Sequence, residues 1–358
     1  MAEPAYDIAI CGATPFAGLV AGLMASAHGK RVCLIGDPWS PYRLARGFEL
    51  SVMPSARPET WAMLKRGGAE TLKLLGSIGR GLYERVDPLF VAETPAAAEY
   101  LSHMRWLALG FGFAAERAVD RTITAGGAIC RIRDAAMLIN GKTEPAVEAW
   151  LVQTGVRRLG ADTSVVPRRD GGFSLRFAGP PIDVPIVVLA DDEAIVTRLL
   201  PTDRHRLLAV APRVSLATEP SQKPLAAPCI SWLDRGLTVH QRGGKGAVTA
   251  IAAGEADAAL PRIGASLPGV GPVGRAAQSR FLGIGTLDGA PLIGRMGKSR
   301  LTTIAGLGSS AAFLAPIVAR YLAGAASADE ARYFEAREVL KAGSRANVAE
   351  AAAPEMAS

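Results

Sequence analysis

The stretch Asp7-Ile-Ala-Ile-Cys-Gly-Ala-Thr-Pro-Phe-Ala17, with Arg31-Val-Cys-Leu-Ile-Gly-Asp37 behind it, decides the fold. Ile8 to Cys11 is a short uncharged apolar run, as a central parallel strand covered on both faces requires. Gly12 to Ala17 read as a turn, and Gly18 to His28 as a helix with small residues on one face, ended by Gly29. Arg31 to Ile35 reads as a second buried strand, closed by Gly36 and Asp37. This is a βαβ unit of roughly the 30 residues such a unit needs.

In a dinucleotide fold the first turn brings backbone N–H groups and the positive end of a helix onto a pyrophosphate. A Cβ in that turn would obstruct the approach. Gly12 and Ala17 match the outer positions of a G-x-G-x-x-G pattern, and Thr14 stands at the central one with a hydroxyl able to donate to a phosphate oxygen. Asp37 ends the second strand, where a carboxylate accepts from ribose hydroxyls. Gly12, Thr14, Pro15, Phe16, Ala17 and Asp37 are therefore the expected nucleotide contacts. The plainer alternative is a βαβ unit whose Asp37 caps the next segment.

Further along, Pro38 to Pro58 reads as a loop and Pro58 to Leu75 as a helix, from apolar positions at 3–4 residue spacing. Thr143 to Leu159 is predicted to be a helix with Pro145 in its first turn and Gly160 just past its end. Pro185 to Ala190 is another apolar strand. Alternation in Leu207-Leu-Ala-Val-Ala-Pro212 and Leu237-Thr-Val-His-Gln241 predicts antiparallel strands. Ser299 to Ala305 is one more apolar strand, which Gly306-Leu-Gly-Ser-Ser310 turns into a helix reaching Leu322. Residues 342–358, rich in Ala and Glu, are expected to be a disordered tail.

A chain of 358 residues has a prior of two domains, and 49% hydrophobic against 20% charged residues is the balance of a folded protein. The net charge of +7 comes from basic residues scattered singly, which argues against a nucleic-acid surface. Cys11, Cys33, Cys130 and Cys229 show no CxxC spacing, and with four histidines they suggest neither disulfides nor a metal site, but small buried residues in a reducing compartment. Ile8 to His28 carries no charged side chain, yet no cation precedes it and Gly12, Thr14, Pro15, Gly18 and Gly22 interrupt it. A strand, turn and helix explain it better than a signal peptide or a membrane span. The expectation is a soluble, cytoplasmic protein.

Gly285-Thr-Leu-Asp-Gly-Ala-Pro-Leu-Ile-Gly294 precedes an apolar strand, Gly306-Leu-Gly308 and a helix. With these runs the sequence resembles the FAD-dependent oxidoreductases of the D-amino-acid oxidase and glycine oxidase type. In that family a T-x-D-G-x-P-x-I-G run and a following glycine pair build the flavin end of the FAD site. The resemblance covers roughly residues 1–60, 140–200 and 280–325. It implies an α/β chain with a discontinuous Rossmann-type FAD-binding domain from residues 1–85, 135–200 and 276–341, and a second, mixed-sheet substrate domain from 86–134 and 201–275.

The resemblance also implies cofactor contacts. Asp288, Gly289, Gly306, Leu307, Gly308, Ser309 and Ser310 would surround the flavin ring, with a helix starting at Ser309 directing its N–H groups at the N1–C2=O edge. Ala190 would lie near the adenine half, and Arg43, Arg46 and Gly47 in the loop that wraps pyrophosphate and flavin. Two departures stand out. The family carries an Arg, usually followed by Pro, just before the T-x-D-G run to clamp a substrate carboxylate, and here those positions are Gly283 and Ile284. Asp191-Asp192 follow Ala190 where a small glycine-containing turn belongs.

The implied activity is oxidation of a C–N bond in an amine or amino-acid derivative, a small-molecule substrate, by hydride transfer to flavin N5. The protein's tasks are then positioning and water exclusion. Candidate catalytic residues are His240 and Trp232, on strands expected to face the flavin, and Glu49 in the flavin loop. A hydrogen-bonded sheet histidine is the plainer alternative for His240. Without the clamp, simple α-amino acids are expected to be poor substrates. Two alternatives remain open: a flavin monooxygenase using NAD(P)H, and a non-catalytic or electron-passing flavoprotein subunit, with a partner protein or as a homo-oligomer. The chain has no nucleophile elbow, HExxH or P-loop lysine, so hydrolase and NTPase readings fall away.

Overall fold

In the computed structural model, which describes residues 6–38, 44–204, 208–221, 223–242, 246–266, 274–287, 289–296 and 300–336, the strand Ile8–Cys11 lies between two parallel neighbours. Val32–Ile35 pairs on one side of it and Val187–Leu189 on the other. Arg157–Leu159 extends the sheet beyond Val32–Ile35, while Leu301–Ala305 and the antiparallel edge Leu292–Met296 complete six strands. Alternation of side chains explains the uninterrupted apolar run. Ile8 and Ile10 enter one core with Val32, Leu34 and Val188, while Ala9 and Cys11 enter a second with Cys33, Ile35 and Leu189. The helix Pro15–Ser26 crosses the first core and packs on the helix Asn140–Gln153, where a Cβ on Gly22 would overlap the Trp150 indole.

The helix expected from Thr143 to Leu159 is shorter than the sequence suggested. It spans Asn140–Gln153, so Pro145 lies inside it, and Gly155 at φ +75 breaks the chain direction. Arg157–Leu159 then pairs in parallel with Cys33–Ile35. The apolar spacing of Val156 and Leu159 suited either a helix or a strand, and sheet pairing decided between them.

The second sheet has eight strands, in the order Arg275–Thr286, Leu208–Ser221, Gly246–Ala253, Leu237–Gln241, Cys229–Trp232, Leu89–Ala92, Ala128–Ile132 and Ala115–Ala118. The strand Arg275–Thr286 was expected among the cofactor-domain residues, but it pairs along Leu208–Ser221 in this sheet. One face carries Val214, Leu216, Trp232, Val239 and Val248, buried with Ala259 and Ile263 of the helix Ala256–Ser266. The opposite face turns toward the six-stranded sheet, since Phe90, Cys130 and Cys229 share a core with Ile10 and Phe16. A two-stranded sheet of Tyr83–Val86 and Ala135–Leu138, joined by a bridge from Met137 to Leu50, carries the chain past that boundary.

All four cysteines are buried and free, and burial pushes the thiols of Cys11, Cys33 and Cys229 up to about 12, so they act as packing residues. Among the described residues no helix is long and apolar enough to cross a membrane, and no three His, Cys, Asp or Glu side chains converge as metal ligands. Arg43, Asp288 and the tail 342–358 lie outside the described residues.

Candidate active site

The first turn is tight. A Cβ on Gly12 would lie 2.8 Å from that of Ala17, and one on Gly36 would lie 2.7 Å from the Gly12 carbonyl oxygen. Glycine at both positions lets two strand ends and a helix start meet. Thr14 Oγ1 accepts the Ala17 N–H at 3.3 Å and caps the helix, and Thr14 O accepts the Gly18 N–H at 3.1 Å. Pro15 has no N–H to offer, and Phe16 and Ala17 turn their side chains into the core.

Asp191 reaches this turn from the end of the neighbouring strand. Its Oδ2 accepts the Ala13 N–H at 2.7 Å and its Oδ1 the Ala194 N–H at 2.8 Å, so one carboxylate joins the turn to the start of the helix Asp192–Arg198. Ala190 donates its N–H to Cys11 O at 2.9 Å, which holds the two strand ends level. Asp37 is exposed at the end of its strand and accepts the Ala161 N–H at 3.1 Å. Arg158 reaches Gly36 O at 3.3 Å, pairs with Glu148, and lines a small cavity against Gly12, Thr14 and Val147. Burial holds its guanidinium down to about 10.

The other expected cofactor end is the helix Ala311–Leu322, which begins at Ala311 after a short 3-10 turn over Gly308–Ser310. Gly306 and Gly308 adopt φ of +75 and +58, and Met53 packs 3.1 Å from where a Cβ on Gly308 would stand. Leu307 and Ser310 are buried. Glu49 Oε2 accepts the Ala312 N–H at 3.1 Å, and Leu50 donates its N–H to Ser309 O at 2.7 Å. The Glu49 carboxyl is pushed up to about 7 by desolvation, against the smaller opposing effect of the Ala312 N–H. Gly289, at φ +68, donates its N–H to Thr286 O at 3.0 Å.

His240 and Trp232 part company. His240 is half-buried on the face toward the six-stranded sheet, its ring 5.6 Å from that of Phe48 and its Nε2 3.7 Å from Glu84 Oε1. Burial lowers its pKa more than Glu84 raises it, so the imidazole is held neutral. Trp232 is on the opposite face, 1% exposed, packed with Leu237 and Ile263. It is a core residue and does not reach the space beside His240, because the pairing of Cys229 with His240 and Trp232 with Leu237 sends neighbouring side chains to opposite faces. Arg46, expected at the pyrophosphate, instead pairs with Glu193 at 2.6 Å and lies over the Phe281 ring, with Gly47 exposed beside it.

No family model matches this chain, and no curated protein matches it either. Among solved structures, glycine oxidase from Geobacillus kaustophilus superposes with a TM-score of 0.68 at 18% identity, over 93% of this chain and 98% of that one. Iminodiacetate oxidase from Chelativorans sp. BNC1 gives 0.67 at 17% identity over 91% and 98%, and L-proline dehydrogenase from P. horikoshii 0.69 at 13% over 92% and 96%. The chain has the fold of glycine oxidase. That is the fold the T-x-D-G and G-x-G runs led us to expect.

Within the glycine oxidase fold, three residues outside the expected site come into view. Asp191 bonds the Ala13 N–H of the first turn, and Arg158 lines the cavity beside Gly12 and Thr14. Arg213 runs across Gly283, so closely that a Cβ there would overlap its Nε. It extends from the adjoining strand onto the face that also bears His240, and its Nε is buried without a hydrogen-bond partner among the described residues. Nearby, Asp192 accepts the Ile284 N–H at 3.1 Å, and desolvation pushes its carboxyl up to about 6. The sequence carried one signal for Arg213, a glycine where a large side chain was expected, but the strand register needed to use it is not local.

Proposed function

We propose that this chain is an FAD-dependent oxidoreductase that oxidises a C–N bond of an amine or amino-acid derivative. The observation that carries the reading is the glycine oxidase fold, over more than 90% of both chains, together with a first turn at a helix N-terminus where Gly12 and Gly36 leave no room for a Cβ. The frame fits a dinucleotide of the Rossmann kind. Gly12 and Gly36 leave a close floor, the helix Pro15–Ser26 directs its positive end at it, and Asp37 stands at the end of the second strand. Bound FAD would supply the acceptor for a hydride from the carbon that bears the nitrogen.

The chain's own residues would do the rest. Gly12, Thr14 and Phe16 would seat the pyrophosphate, and Asp37 the adenosine ribose. The second sheet, whose inward face leaves Arg213, Ser231, Thr238, His240 and Thr249 half-exposed, would cover the reacting centre and line the substrate space. Neutral His240 would accept a hydrogen bond from a polar substrate, and Arg213 would take its carboxylate. The cofactor domain would comprise 1–85, 135–200 and 287–341, with the second sheet as the substrate domain. The test is an absorption spectrum of the purified and FAD-reconstituted protein, then anaerobic mixing with amines and amino acids. We expect a flavin spectrum that at least one of them bleaches. A protein that retains no flavin overturns the reading, and a yellow protein that nothing bleaches points to the electron-passing subunit.

A further inference from the structure

We propose that Asp191 is a resident occupant of the pyrophosphate seat, so that this chain takes up its dinucleotide only by displacing its own carboxylate. The inference rests on the FAD reading above and concerns how that site is loaded. Backbone N–H groups at a βα turn bind anions because they are fixed, unpaired and aligned with the helix dipole. Here Ala13 spends its N–H on Asp191 Oδ2 at 2.7 Å, and the same oxygen lies 3.1 Å from where a Cβ on Gly12 would project. Pro15 contributes none, and Thr14 satisfies those of Ala17 and Gly18. An incoming pyrophosphate therefore meets a carboxylate where it needs a donor. Its Oδ1 meanwhile accepts the Ala194 N–H at 2.8 Å and caps the next helix. The other end of the expected site repeats the arrangement, with Glu49 on the Ala312 N–H. Two protein carboxylates thus sit on backbone donors at the two places where the cofactor would bring negative charge.

The sign of the effect makes it testable by binding alone. Asp191→Ser keeps a side-chain acceptor for Ala194 but is too short to hold the turn, and Asp191→Asn keeps the length and removes the charge. Apoprotein of each variant is titrated with FAD, and separately with ADP, by quenching of tryptophan fluorescence and by calorimetry. We expect both variants to bind FAD and ADP at least tenfold more tightly than wild type, with a thermal midpoint that shows the fold is kept. Equal or weaker affinity in both folded variants, beside a wild type that binds FAD, overturns the inference and leaves the FAD reading standing. Failure of wild type and both variants to bind either ligand overturns the FAD reading itself.

Discussion

Glu49 shows how one side chain couples the site to pH. A carboxyl raised from 4.5 to about 7 binds its proton more tightly in the folded chain than in the unfolded one. The stability it supports is therefore complete below about pH 4.5 and is lost as pH rises through 7. Its residue is only half-buried, so we put the loss at about 1–2 kcal/mol, below the roughly 3.4 kcal/mol that the full shift would give. Glu49→Gln keeps an acceptor for the Ala312 N–H without the titration. Thermal melts of both proteins at pH 5 and pH 8 should show the variant gaining on wild type at the higher pH, and parallel curves would refute the assignment. Trp232 gives the opposite kind of prediction. As a core residue whose Nε1 has no hydrogen-bond partner among the described residues, it should tolerate Trp232→Phe at a cost under about 1.5 kcal/mol, whereas Trp232→Ala should lose about 3–5 kcal/mol in urea unfolding. A Phe variant that folds normally but has lost flavin reduction would return Trp232 to the site. Nothing in the sequence told His240 and Trp232 apart, since the face a strand residue takes depends on register with chain far away.

Among the elements, those whose own residue pattern suffices are legible in the sequence. The run Ile8 to Cys11 announces a strand buried on both faces, and glycines on the first helix announce a close neighbour. The limit came at Arg157–Leu159, three residues whose pairing to the second strand cannot be seen in their own pattern. The glycines allow a paired test. Gly22 meets the Trp150 ring, so Gly22→Ala should cost about 1–3 kcal/mol through overpacking even though alanine is the better helix former. Gly76, exposed in the helix Pro58–Ile78 with nothing within 4 Å of its Cβ position, should gain about 0.5–1 kcal/mol as Gly76→Ala. Urea midpoints that rise for both would show that propensity, and not the contact, governs the first helix.

At the scale of the whole molecule, the six-stranded sheet gathers strands from residues 8–35, 157–159, 187–189 and 292–305, and the second sheet takes the chain between and around them. Such interleaving puts side chains remote in sequence side by side. Gly283 and Arg213 are the case that bears on substrate. Read along the chain, Gly283 is a missing cation, and simple amino acids look unsuitable. Read across the sheet, Arg213 fills the room that the absent side chain leaves, on the face shared with His240. A guanidinium on a half-exposed surface, its buried Nε without a partner among the described residues, is suited to a carboxylate, and such charge-assisted pairs are worth about 1.5–3 kcal/mol. Arg213→Ala should therefore raise KM for amino acids by roughly ten- to a hundredfold with kcat nearly unchanged, because the carboxylate is held equally in ground and transition states. An amine without a carboxylate should be unaffected, and Arg213→Lys should recover part of the loss. The measurement is steady-state flavin reduction with glycine, sarcosine and proline beside their decarboxylated counterparts. If the Ala variant loses both classes alike, Arg213 supports the sheet and does not bind substrate. If wild type is bleached by the amines and by none of the amino acids, the missing cation at Gly283 is the true determinant and Arg213 does not replace it.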